Sequence, residues 1–346
     1  MRDDDDTSGR FGRLERGALV VSIDVEMAWG QIHRPTEVYE FADERAQMRR
    51  LLDLFDEHAV PATWAFVGHL LLEECHRTDG LAHPDLVRPN YEWFEGDWLA
   101  ADPCRTWEDS PTWYAPDLVA EVIGRETPHE IGSHAFSHLI AGDPGCSEAA
   151  FRSDLRHCRE AAQRAGVSPT AFVYPRNQYG FEDVLGDEGF TSYRGPRSDP
   201  LAGLDGVERR VRRLADLAVP TSASAVRPVA SAGVWNLPAT YLHDVGSVRR
   251  YPLRLLQARR RLRQAARHRS LFHVWFHPHN VAHEPDRWFD GLDDLLRRAA
   301  RLRDQGRLDT LTMSAVADRL GQPPATAPPT RESRRVTPDA WPPDPA

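Results

Sequence analysis

Apolar and polar positions along this chain switch repeatedly between two periods. A short apolar run at 18–24 has the length and Val/Ile content of a buried strand, and 41–58 then repeats apolar residues at three- and four-residue spacing, as a helix lying on a core does. The exchange recurs as strand at 61–67, helix at 116–126, strand at 129–133, helix at 147–165, strand at 170–175 and helix at 181–188. Strands separated by helices pair in parallel through right-handed crossovers. The pattern therefore predicts an α/β barrel or doubly wound sheet with its site at the carboxyl ends of the strands. Beyond Ser192-Tyr193-Arg194-Gly195 it thins into a loop and an arginine-rich stretch. It returns as a strand at 233–238, a helix at 248–268, a strand at 271–277, a helix at 287–304, and a closing strand and helix over 308–320.

Two ends fall outside this pattern. Residues 1–16 are acidic then basic, and 322–346 are dense in Pro, Thr and charge, so both read as disordered tails around one domain at 17–321. An insertion at 73–116 carries Trp93, Phe94, Trp98, Trp107, Trp113 and Tyr114 among prolines and acids. Sugars present C–H faces that stack on aromatic rings, so the insertion reads as a carbohydrate-binding lid; packing of the same rings onto the barrel is the other reading.

Composition narrows the classes. Lys and Arg total 43 against 52 Asp and Glu, a net charge of −9, and the arginines lie on helical stretches without interleaved aromatics, which argues against nucleic acid. The four cysteines, Cys75, Cys104, Cys146 and Cys158, show no CxxC spacing and read as small apolar side chains. The N-terminus lacks a basic region followed by an apolar one, and no apolar stretch is long enough to cross a bilayer. A cytoplasmic protein without an integral membrane segment is expected.

The chemistry sits at two places. The first strand ends on Asp24 and Glu26, whose side chains leave one face of the strand. After the strand at 129–133, His134 and His138 are spaced so that a helical turn or a tight loop brings both imidazoles together, and two imidazoles with one carboxylate are the usual ligand set for a catalytic divalent metal. The other carboxylate then serves as base; which acid plays which part stays open. Histidine spacing alone is weak evidence, since His273/His277 and His279/His283 repeat the same interval.

Taken together, Ser22-Ile23-Asp24-Val25-Glu26, His134-Ala135-Phe136-Ser137-His138, Phe172-Val173-Tyr174-Pro175-Arg176-Asn177 and Val274-Trp275-Phe276-His277 resemble, in order and spacing, the motifs of NodB-type polysaccharide deacetylases of carbohydrate esterase family 4. The resemblance spans about residues 18–316 and implies a distorted (β/α)7-type barrel, the NodB homology fold. It implies one divalent transition metal, zinc by preference, on Glu26, His134 and His138. Asp24 would be the base, His277 the acid that protonates the leaving amine, with His273 and His279 as substitutes on the same strand face, and Arg176 the partner that keeps Asp24 ionised. Trp235, Tyr174 and Trp98 are expected to contact substrate. The sequence departs from the family where Ala135 replaces Ser or Thr, where Val25 stands at the second aspartate, and where Pro175 and Arg176 invert the usual order.

The implied reaction is metal-dependent N-deacetylation of an N-acetylated sugar or glycoconjugate in polysaccharide synthesis, with release of acetate. Hydrolysis of cyclic or ureide amides on the same barrel, with or without metal, and a carbohydrate-binding pseudoenzyme are the alternatives. A homodimer is left open.

Overall fold

The structure is a computed structural model that describes residues 11–32, 41–197, 225–282 and 284–324, with the side chains of 41–43 excepted. The loop and arginine-rich stretch read between 198 and 224, His283, and the C-terminal tail from 325 lie outside the described residues.

The strands, in chain order, are β1 (Gly17–Val25), β2 (Thr63–Phe66), β3 (Arg77–Thr78), β4 (Leu81–Ala82), β5 (Glu130–Ser133), β6 (Ala171–Val173), β7 (Ser192–Arg194), β8 (Val229–Ser231), β9 (Val234–Asn236), β10 (Tyr241–Leu242), β11 (Leu271–Phe276) and β12 (Leu308–Leu311). The main sheet runs β10-β11-β1-β2-β5-β6-β7-β9-β8, with β12 also on β1, while β3 and β4 form a separate hairpin. Every pair in the main sheet is parallel except β8–β9, and the sheet curls into a parallel-rich half-barrel. β1 is buried at all nine positions because it lies in mid-sheet with both faces covered, which is why its sequence is a continuous apolar run and not an alternating one.

The helices are α1 (Phe41–His58), α2 (Pro116–Ile123), α3 (Glu148–Arg164), α4 (Glu182–Asp187), α5 (Tyr251–His268), α6 (Pro285–Asp304) and α7 (Met313–Leu320). α1 turns Met48, Leu51, Leu52 and Phe55 inward, and α6 turns Trp288, Phe289, Leu292, Leu295, Leu296 and Ala299 inward. Each fully buried side chain of this size contributes about 1.5–3 kcal/mol, so these stripes hold the helices more firmly than intrinsic propensity does. α3 begins at Ser147, whose hydroxyl accepts from the Ala150 amide at 3.1 Å.

Two expectations change. Residues 11–16 belong to the folded body: the Gly12 amide donates to the Pro228 carbonyl at 2.8 Å and Leu14 is buried. The aromatic insertion mostly packs. Trp98, Tyr91 and Tyr114 are buried, and the ring of Trp98 meets those of Tyr91, Trp93 and Phe94 edge-on.

Candidate active site

β1 delivers Asp24 and, one residue past its end, Glu26 to the carboxyl edge of the sheet. β5, parallel and one strand beyond β2, ends at Ser133, so His134 emerges on that flank, and β11, paired with β1, ends at Phe276, so His277 follows on the other. Glu26 Oε1 is the meeting point: His134 Nε2 lies 2.9 Å from it, His138 Nε2 3.2 Å and His277 Nε2 3.3 Å. His277 Nε2 is also 3.6 Å from Asp24 Oδ2.

The loop 134–138 is held from beneath. Ala135 and His138 have positive φ (60° and 55°), and Met27, Arg176 and Asn177 around the same site do too. Such backbone costs about 1–3 kcal/mol per residue and persists only where the surroundings fix it. Buried Asp154 of α3 does much of that fixing: it accepts the Phe136 amide at 2.5 Å, the Ser137 amide at 3.1 Å and the Ser137 hydroxyl at 2.6 Å. Gly30 leaves room for the acid, since a Cβ there would collide with Glu26 Oε2.

Asp24 is gripped by Arg194 at the end of β7, with Nη1 at 2.5 Å from Oδ1 and Nη2 at 2.6 Å from Oδ2. Arg194 is fully buried, lies 4.4 Å over the Trp275 ring, and also donates to Ser22 Oγ and Asn177 Oδ1. The network continues inward. His273 Nδ1 donates to the Leu237 carbonyl, so its Nε2 accepts from the Ser22 hydroxyl at 2.9 Å. Burial and nearby Arg194 push the His273 imidazole down to about 3.

Burial alone would raise both acids, but their partners outweigh it. Arg194, His277 and His134 hold the Asp24 carboxyl below its ordinary range, and His277, His138 and His134 hold Glu26 well below it. Behind them, burial and the Glu26 charge push Glu44 up to about 8.

The donor set fits a divalent ion. A carbonyl oxygen only accepts, so the contact of His134 Nδ1 with the Val173 carbonyl at 2.9 Å puts a proton on Nδ1 and points Nε2 at the Glu26 oxygen. At 2.9 Å the pair is closed either by a second imidazole proton or by a metal ion, and one carboxylate with two imidazoles is a set that a divalent metal takes. Glu26, His134 and His138 are all buried and form one of the groups whose ligand atoms lie within 4.8 Å of each other.

The polysaccharide deacetylase family profile matches residues 39–183. Over those residues the chain is similar to the NodB-type polysaccharide deacetylase domain. Polysaccharide deacetylases are hydrolases of carbon–nitrogen bonds other than peptide bonds. Among solved structures, a candidate polysaccharide deacetylase from Mycobacterium smegmatis superposes with a TM-score of 0.58 at 15% identity, over 90% of this chain and 94% of its own. A 4-α-glucanotransferase from Thermococcus litoralis superposes at 0.50 with 11% identity, over 89% of this chain and 41% of its own. A family 4 carbohydrate esterase from Streptomyces lividans reaches 0.41 at 12% identity, over 90% of this chain and 98% of its own. At these identities the first two likenesses speak to fold alone. A search of curated proteins finds no match.

Not every residue expected at the deacetylase site is there. Asp24, Glu26, His134, His138 and His277 converge, but the pairing with Asp24 expected of Arg176 is made by Arg194. Arg176 has φ 55° in the turn after β6, is exposed, and stands 5.5 Å over the Trp93 ring. The three substrate contacts expected of Trp98, Tyr174 and Trp235 are corrected by burial. Trp98 donates to the Ser137 carbonyl beneath the histidine loop, Tyr174 to the Gly180 carbonyl, and Trp235 to the Gly321 carbonyl. His273 points into the barrel and His279 lies in the turn after β11, stacked on His277, so neither shares its position.

Arg194, Asp154, Ser22 and Glu44 were not singled out from sequence. The first is a charge closing the buried strand β7 in parallel register with Val173 of β6. Asp154 had a readable signal, an acid on the face of α3 that otherwise buries Phe151, Leu155 and Cys158.

Proposed function

We propose that this deacetylase hydrolyses the acetamide of an N-acetylated sugar or glycoconjugate in polysaccharide synthesis, with one divalent transition metal, zinc by preference, and releases acetate. The observation that carries the reading is the convergence of His134 Nε2 and His138 Nε2 on Glu26 Oε1 beside an Arg194-bound Asp24. This geometry favours Glu26 over Asp24 as the acidic ligand, because Asp24 already spends both oxygens on one guanidinium.

In this reading Glu26, His134 and His138 hold the ion, which supplies polarisation of the acetamide carbonyl and activation of water. Asp24, fixed and kept ionised by Arg194, takes the proton of the attacking water. His277 faces both carboxylates, and the Asn280 carboxamide oxygen accepts its backbone amide at 2.9 Å. It is thereby positioned to pass a proton to the leaving amine. Val173 keeps His134 in the tautomer that presents Nε2, and Asp154 keeps the loop in its strained shape. At the rim, Trp93 is 46% exposed and offers a sugar face the ring that Trp98 does not.

A cytoplasmic setting belongs to the same proposal and rests on four free cysteines. No helix among the described residues is long and apolar enough to cross a membrane.

The test is acetate release by the purified protein from N-acetylhexosamine oligomers, after chelation and after restoring zinc or cobalt, with cyclic amides in parallel. Metal-restored release from the oligomers is expected. Turnover of ring amides alone, or no acetate with any metal, overturns the reading.

A further inference from the structure

A second convergence of metal-ligating side chains lies on the far side of the His134–His138 loop. Four residues contribute: His69 from the turn after β2, and Cys75, His83 and Asp102 from the insertion. His69 Nε2 is 3.1 Å from His83 Nε2 and 3.1 Å from Asp102 Oδ2, and Cys75 Sγ is 3.4 Å from His83 Nε2. All four ligand atoms lie within 4.8 Å of one another. His69, Cys75 and Asp102 are buried and His83 is half-buried.

Zinc–nitrogen bonds of about 2.0–2.1 Å and zinc–sulfur bonds of about 2.3 Å make the edges of a tetrahedron about 3.3–3.6 Å long. The three short separations, 3.1, 3.1 and 3.4 Å, match those edges to within a few tenths of an ångström. Hydrogen bonding accounts for the cluster less well. His69 Nε2 carries at most one proton, which would have to be split between the Asp102 oxygen and the His83 nitrogen, whereas one cation serves all four donors.

The outer contacts point the same way. Asp102 Oδ1 accepts the Cys104 amide at 2.9 Å and the Tyr114 hydroxyl at 2.7 Å, which turns Oδ2 into the cluster. Orientation of a ligating carboxylate by such outer donors is usual around metals. We propose that His69, Cys75, His83 and Asp102 bind a second, structural zinc ion that ties the insertion to the barrel.

One soft thiolate, two borderline imidazoles and one hard carboxylate form a closed set of four, which suits borderline zinc and leaves no position open for substrate. The consequence reaches the catalytic loop through the backbone. The Gly68 amide donates to the Ala135 carbonyl at 2.7 Å and the His69 amide to the Phe136 carbonyl at 3.0 Å, while the His69 and His83 rings both pack on Phe136. The ion would thus brace the loop that carries His134 and His138 from behind. Cys75 Sγ also lies 3.3 Å from Cys104 Sγ, so a disulfide is the competing use of that thiol.

The experiment uses the full chain and two readouts besides activity. Metal content should show two zinc ions per wild-type chain and one in the His134→Ala/His138→Ala variant, so a failure of the catalytic proposal is seen separately. Cobalt substitution should give a near-ultraviolet thiolate-to-cobalt charge-transfer band in wild type and in that double variant, because the catalytic ligands contain no sulfur. The band should vanish in Cys75→Ser and shift in the milder His83→Gln. Cobalt-loaded wild type without the band overturns the proposal, as does a band that survives Cys75→Ser. Folded, metal-free protein whose mass shows a Cys75–Cys104 disulfide overturns it as well.

Discussion

Replacing Glu44 by glutamine is expected to stabilise the metal-stripped protein at neutral pH and to leave it unchanged in acid. Glu44 is 3% exposed beside the ionised Glu26, and burial with that charge raises its carboxyl from 4.5 to about 8. In the unfolded chain the same group ionises near 4.5. Between these values the folded protein keeps a proton that the unfolded chain has lost, so wild-type stability is full below pH 4.5 and falls as pH rises toward 8. At about 1.4 kcal/mol per pH unit, this group costs about 3 kcal/mol at pH 7 and about 5 kcal/mol once it ionises in both states. Glutamine has the shape of the neutral acid and does not titrate, so the variant lacks the slope. Urea unfolding in chelator, followed by circular dichroism across about pH 4 to 9, measures the difference. A Glu44→Gln variant that is less stable at pH 7, or offset from wild type by the same amount at every pH, refutes the reasoning.

Arg194→Met should cost about 3–5 kcal/mol by leaving the Asp24 charge buried without its partner, while Arg194→Lys regains part of that stability but little turnover, because an ammonium cannot reproduce the two-pronged grip. Denaturation and kcat measured on both variants check this. Asp154→Ala should weaken zinc binding at His134 and His138 about 10–100-fold with the ligands untouched, read by competition with a chromophoric chelator. Trp98→Ala should cost about 3–5 kcal/mol, whereas Trp93→Ala should change stability by less than about 0.5 kcal/mol and raise KM for an oligosaccharide; a reversal of the two would return Trp98 to the binding surface.

The alternation of periods made the parallel sheet legible, and strand ends made Asp24, Glu26, His134 and His277 legible, because a polar residue closing an apolar strand has few other reasons to be there. Arg176 was misread because an arginine beside a proline matched in sequence, while side-chain direction depends on φ, which turns Arg176 outward at 55°. Arg194 was hidden by distance: it meets Asp24 across 170 residues, and no local pattern records such a pairing. The aromatic insertion was ambiguous in principle, since a ring that stacks on sugar and a ring that fills a core have the same composition. Cys75 looked inert for the same reason. Its neighbours His69, His83 and Asp102 are gathered by a fold with no repeat or fixed spacing to announce it.

The central place of β1 bears on how the chain is made. Its flanking strands are β2, close in sequence, and β11 and β12, which pair with it across 253 and 291 residues; the Ser22–His273 bond spans 251. Until a ribosome has released that distant segment, the run Gly17–Val25 stands as an unprotected sheet edge, apolar and open to pairing with another chain. Contacts of such long separation slow folding. The nascent protein thus carries an aggregation hazard in the strand that later delivers Asp24 and Glu26, and a chain cut short before 271 retains that hazard without gaining His277.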